Sequence, residues 1–218
     1  PMEAVDRQLI ERLGAPPRVV CLPTAAGQEG AARVAYWSEL GEAHFTRLGA
    51  QVEALPVTDR AGACDERWAE RIRGANFVYL SGGKPGYLHA TLVDTPVWEA
   101  IVGVHRAGGM LAGCSAGAMI LGDRLPGFPR WEAGFGLLPG AVIVPHYDEF
   151  APTLLRLIER ALPRGKFMAG IEGDTALVVE PGSYIALGRR SVTIFSSGHR
   201  QRYAGGEAVA WPGAPGPA

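Results

Sequence analysis

Short apolar, β-branched runs alternate with segments of helical spacing over the first two-thirds of the chain, and this alternation limits the fold more than any other feature. R-V-V-C-L-P-T, from Arg18 to Thr24, reads as a buried strand ending in small residues. From about Gln28 to Leu48, Ala, Tyr, Trp, Leu and Phe recur at helical spacing, and Gly49 stops the helix. A strand over Gln51 to Val57, a charged helix over Asp65 to Arg73 and a strand over Ala75 to Leu80 follow. Thr95 to Ala107 is then helical, Met110 to Gly113 is a short strand, and Ala116 opens another helix. Ala141 to Pro145 is again a strand and Pro152 to Leu162 an amphipathic helix. Lys166 to Ile171, Thr175 to Glu180, Ser183 to Gly188 and Ser191 to Ser196 are closely spaced strands. The pattern predicts an α/β fold: a mostly parallel sheet with helices on both faces and a β-rich C-terminal part. Sites in such sheets form where strand C-termini meet the following loops. S-G-G-K, G-C-S-A-G and P-H-Y-D all fall there.

The 218 residues are enough to bury a real core, and 47% are hydrophobic and 20% charged, as in an ordinary globular chain. The net charge of -1 and the lack of a basic stripe argue against a nucleic-acid partner. No run approaches the ~20 apolar residues of a membrane helix, and P-M-E-A-V-D-R-Q-L-I lacks a signal-peptide core. Cys21, Cys64 and Cys114 are far apart with no metal spacing, so a reduced, cytoplasmic protein without metal or cofactor is expected. One domain over 1–210 and a flexible tail over 211–218, W-P-G-A-P-G-P-A, complete this reading.

The stretch L-A-G-C-S-A-G-A-M, Leu111 to Met119, holds two adjacent nucleophiles among glycines and alanines. Read as G-x-S-x-G between strand and helix, it is a nucleophile elbow centred on Ser115. The turn is strained, so small residues must flank its centre, and glycine lies two residues away on each side. The Ala116 N–H, at the helix start, can face a developing oxyanion. Cys114 also has small neighbours two residues away, so a thiol elbow is the alternative, although a residue one place earlier should point back toward the packed side of the sheet.

A serine hydroxyl needs a base. Of His44, His89, His105, His146 and His199, only His146 directly follows a clean apolar strand on the elbow's sheet edge. The base needs an orienting carboxylate, and Glu132, Asp148, Glu172 and Asp174 are the candidates. Glu172 and Asp174, two apart in extended chain after K-F-M-A-G-I, face the same side. S-G-G-K-P-G, Ser81 to Gly86, lacks the first spaced glycine and the hydroxyl of a phosphate loop. Its Gly82 or Gly83 N–H is a second oxyanion donor candidate beside Ala116.

Taken together, the elbow G-C-S-A-G-A, the upstream S-G-G-K, G-F-G-L-L at Gly134 to Leu138, V-P-H-Y and G-I-E-G-D-T-A-L-V-V from Gly170 resemble the peptidase E (aspartyl dipeptidase) and cyanophycinase family of serine peptidases, in order from about Arg18 to Gly188. The resemblance implies a three-layer α/β/α sandwich like class I glutamine amidotransferases (flavodoxin-like). It also implies Ser115 as nucleophile, His146 as base, no metal, a small peptide substrate and a homodimer. Three departures stand out. Lys84 follows the Gly-Gly where the family has Asn, Asp or Gln. Gly173 falls opposite the family's triad glutamate, which leaves Asp174, with Glu172 second, as the expected third member. Y-D-E-F after His146 replaces the aromatic and arginine residues that hold cyanophycin, which argues against that substrate. The expected activity is therefore hydrolysis of dipeptides or short peptides. The rivals are a thiol hydrolase on Cys114 and a peptide-binding protein with a decayed triad.

Overall fold

The computed structural model describes residues 2–126 and 130–213. The elements, in chain order, are α1 (Glu3–Glu11), β1 (Arg18–Leu22), α2 (Ala31–Arg47), β2 (Gln51–Ala54), α3 (Arg60–Ala63), α4 (Glu66–Arg73), β3 (Phe77–Leu80), α5 (Pro85–Leu92), α6 (Pro96–Arg106), β4 (Met110–Gly113) and α7 (Ala116–Met119). Then come β5 (Arg124–Leu125), β6 (Glu132–Ala133), β7 (Ala141–Pro145), α8 (Pro152–Ala161), β8 (Phe167–Ile171), β9 (Thr175–Glu180), β10 (Ser183–Gly188), β11 (Ser191–Ser196) and β12 (His199–Ala204). Where side chains declare a boundary, the sequence placed it well. Thr95 caps α6 by accepting from Trp98 N–H at 3.2 Å, and Asp65 caps α4 by accepting from Arg67 N–H at 3.0 Å. The second strand stops at Ala54 rather than Val57, two residues before Pro56, which has no N–H to offer a ladder.

The parallel sheet has the order β2-β1-β3-β4. Its strands alternate strictly between two cores. Val20, Leu22, Val78 and Leu80 pack with α3 to α6, including Ala69, Ile72, Leu88, Leu92, Val97 and Ile101. Val19, Cys21 and Phe77 pack on the other face with Val5 and Leu9 of α1 and Phe45 of α2. Helices thus cover both faces, as the near-continuous apolar strands require. A second sheet, in the order β12-β11-β8-β7, is parallel only between β7 and β8. The hairpin β9–β10 bridges the two halves, with Val178 in the α1 and α2 core and Ala186 in the core of the second sheet.

One expectation is corrected. Trp211 does not begin a flexible tail: it is buried, stacks on Tyr184 at 4.6 Å between ring centroids and meets Phe167 edge-on at 4.9 Å. The rest of that tail, 214–218, lies outside the described residues. The helix α1 and the strand β12 carry no clear sequence signal. α1 is held partly by a long-range contact, Asp6 Oδ2 to His44 Nε2 at 2.8 Å.

Candidate active site

β4 ends at Gly113 and α7 starts at Ala116, so the turn between them spans two residues. Ser115 sits there at φ 50° and ψ −115°, a backbone conformation that L-residues rarely adopt. Contacts on both sides impose it. A Cβ at Gly113 would lie 2.4 Å from the Gly117 carbonyl, and one at Gly117 would lie 2.3 Å from the Leu80 carbonyl oxygen. Cys114 N–H donates to that same Leu80 oxygen at 3.0 Å. The two outer glycines let the chain reverse against β3, and the reversal places Ser115 above the sheet edge.

Cys114 lies half-buried beside Ser115. Its thiol lies near the Tyr79 hydroxyl and the Gly82 N–H, and burial pushes its pKa up while those two groups pull it partly back. A thiol held up in this way is mostly protonated near neutral pH and is a poor nucleophile. Cys21, buried on β1 beneath it, is pushed up to about 12, chiefly by burial.

The S-G-G-K loop folds directly over the elbow. A Cβ on Gly82 would come 3.2 Å from Ser115 Cβ and 3.0 Å from Trp37 Cζ2, so Gly82, Ser115 and the α2 indole converge on one point. Gly83, at φ 144°, presses against Ala25, whose carbonyl accepts from Lys84 N–H at 2.9 Å. Gly82 therefore lies against Ser115, the residue before Ala116.

His146 follows β7 in a left-handed conformation at φ 54° and ψ 34°. The helix after the elbow lies along this strand: Ala118 packs with Ala141 and Ile143, and Asp123 N–H donates to Ala141 O at 2.8 Å. Among the described residues, His146 and Ser115 make no hydrogen bond to each other. Such bonds often tighten only with substrate bound.

Among the described residues neither Asp174 nor Glu172 comes within 4 Å of the His146 imidazole; Glu149 lies 3.7 Å from Nδ1, beyond hydrogen-bond distance. Glu172 is taken by other partners, accepting from Ser191 N–H at 3.1 Å and from Arg202. Asp174 occupies a left-handed turn position at φ 54° between β8 and β9. Asp148 accepts from Gly173 N–H at 2.7 Å and pairs with Arg190, so it clamps the His146 turn to the β8–β9 turn. Glu132 lies by the start of α5, where a Gly86 Cβ would be 2.7 Å from its Oε2. Beside it His89 packs on Phe135 at 4.5 Å between centroids, and burial lowers the His89 pKa.

Sequence reasoning missed Trp37. Its place in an apolar helical stripe reads as core, and nothing local tells that the stripe passes over a glycine beside the nucleophile. Its Nε1–H is buried with no hydrogen-bond partner among the described residues. No group of three or more metal-ligating side chains occurs among the described residues.

The family model for peptidase family S51 matches residues 1–186, which takes in the elbow, the Gly-Gly loop and the His146 turn. The chain belongs to this family. It is 30% identical over 165 residues to a cyanophycinase of Trichormus variabilis, an alignment covering 69% of this chain and 55% of that protein. The chain spans about half the length of the curated relatives it matches. The crystal structure of a peptidase from an acI-B1 actinobacterium is similar at TM-score 0.88 and 33% identity, covering 96% of this chain and 91% of that one. A putative peptidase E protein from Listeria monocytogenes shares the fold at TM-score 0.60 and 18% identity, covering 93% and 92% of the two chains. These S51 likenesses carry the fold expectation: a parallel central sheet with a β-rich C-terminal part.

Proposed function

We propose that this S51 family member is a serine peptidase that cleaves dipeptides or short peptides through an acyl-enzyme on Ser115. The observation that carries the reading is the strained Ser115 backbone, locked by Gly113 and Gly117 against β3 and lying against Gly82. Strain of this kind persists only where the surroundings over-determine it. In the reaction, Ser115 Oγ attacks the scissile carbonyl and His146 takes its proton. The oxyanion is met by the Ala116 N–H and an N–H of the Gly82-Gly83 pair. His146 returns the proton to the leaving amine, and water then releases the acyl group. The orienting carboxylate is proposed to come from Asp174, Glu172 or Glu149, of which Glu149 lies nearest the imidazole, 3.7 Å from Nδ1 and beyond hydrogen-bond distance. The reading extends to a cytoplasmic setting, where Cys21, Cys64 and Cys114 stay free thiols, and to a homodimer.

The thiol alternative has less support, since the Cys114 side chain is half-buried and its pKa is raised. A dipeptide panel varied at the first residue tests the proposal. Wild type and Cys114→Ala are expected to hydrolyse some members, and Ser115→Ala none. Turnover by Ser115→Ala at the wild-type rate, or none by wild type on any member, would contradict it.

A further inference from the structure

The second sheet carries a groove on the face away from the elbow helix. Ala118 of α7 packs on one face of that sheet with Ala141 and Ile143, whereas Val142, Val144 and Met168 face the other way, toward Leu155 of α8. Between α8 and the strands β11 and β12 lie two adjoining cavities of about 340 and 290 Å³, which share Arg156 and Arg200 in their walls. Sites for small molecules run from about 300 Å³ upward.

The charged groups of these walls are Arg156, Glu159 and Arg160 from α8, Glu172 after β8, and Arg200 and Arg202 from β12. Glu159, with only 6% of its side chain exposed, accepts from Nε and Nη2 of Arg200 at 2.7 and 2.6 Å. Glu172 accepts from Nη2 of Arg202 at 3.1 Å, and Ser191 Oγ accepts from its Nε. These partners fix the planes of both guanidinium groups, and Nη1 of each takes no part in that pairing. Arg200 is steadied further by the Phe195 ring, 5.9 Å from its guanidinium carbon.

Arg156 and Arg160 are different. Both are exposed, and among the described residues neither belongs to an ion pair. They stand four residues apart on one helix, a spacing at which like charges repel. With four arginines against two glutamates, the groove holds two positive charges that its own walls do not offset.

We propose that this groove binds a small molecule bearing a dianionic group. Arg156 and Arg160 supply the unmatched charge, Arg200 and Arg202 supply oriented donors, and Tyr147 and Phe195 give the rest of the ligand an apolar surface. Two chemistries carry such a charge: a phosphate monoester, at about −1.5 to −2 near neutral pH, and a dicarboxylate. The site stands apart from Ser115 and does not rest on the peptidase reading.

Calorimetry at low ionic strength with phenyl phosphate, phenylmalonate and phenyl sulfate tests it. Phenyl sulfate has the same ring and a tetrahedral oxyanion but a single charge. Wild type is expected to bind one of the two dianions about tenfold or more tighter than phenyl sulfate, and the preferred dianion names the chemistry. Arg156→Gln combined with Arg160→Gln should abolish the preference, Arg156→Lys combined with Arg160→Lys should keep part of it, and Ser115→Ala should bind like wild type. Equal binding of all three probes by wild type, an undiminished preference in the double glutamine variant, or loss of the preference in Ser115→Ala would overturn the proposal.

Discussion

At the scale of single residues, the site is a set of positions where ordinary side chains do not fit. Ser115 holds a backbone conformation that costs about 1–3 kcal/mol. Ser115→Ala keeps that strain, because alanine has the same Cβ. Ser115→Gly relieves it, and the relief is expected to exceed the chain entropy that glycine adds. Both variants should be inactive, but the glycine variant should melt about 2–4 °C above the alanine variant. A glycine variant that melts lower would remove strain from the account. This part of the site was legible in the sequence, because Gly113, Ser115 and Gly117 carry their own steric logic and Gly82-Gly83 follows a strand end. Which carboxylate orients the imidazole was not legible. It depends on which partners reach each carboxylate first, and Ser191 N–H and Arg202 reach Glu172 from strands distant in sequence.

At the scale of elements, the turn after β7 must hold His146 steady, and Asp148 does so from two residues away. The Gly173 N–H, with Arg190 beside it, holds the Asp148 carboxyl below its usual pKa. A depressed pKa gives stability that is present above the unfolded value of about 3.9 and is lost as the pH falls through the folded one. Asp148→Asn is therefore expected to cost about 1 kcal/mol near neutral pH. The gap in melting temperature from wild type should begin to close as the pH falls below about 4 and vanish below the folded pKa. A gap that stays constant across that range would mean that the charged clamp is not what matters. Elements with periodic patterns, such as β4, β7, β9, β10 and β11, were found at their exact sequence limits. The helix α1 escaped because its amphipathic face is short and its anchor, Asp6 to His44, joins segments far apart in the chain.

At the scale of the whole molecule, two sheets share one envelope through the β9–β10 hairpin. Val178 and Ala186 place its two strands in different cores. The family match ends at residue 186, yet packing continues to Trp211, which closes the second core over Tyr184 and Phe167. Removing a large buried aromatic costs about 3–5 kcal/mol, so Trp211→Ala should lower the thermal midpoint markedly. A variant that melts with wild type would return Trp211 to a peripheral role. A parallel sheet covered on both faces was predictable from alternation, whereas this closure was not, because W-P-G-A-P-G-P-A reads as an end rather than as a plug.

The proposed chemistry rests on a single hydroxyl, and covalent trapping tests that most directly. A fluorophosphonate reagent should add once to the wild-type chain, and peptide mass mapping should find the adduct on Ser115. Cys114→Ala should label like wild type and Ser115→Ala not at all. An adduct on another residue, or equal labelling of Ser115→Ala, would contradict the account.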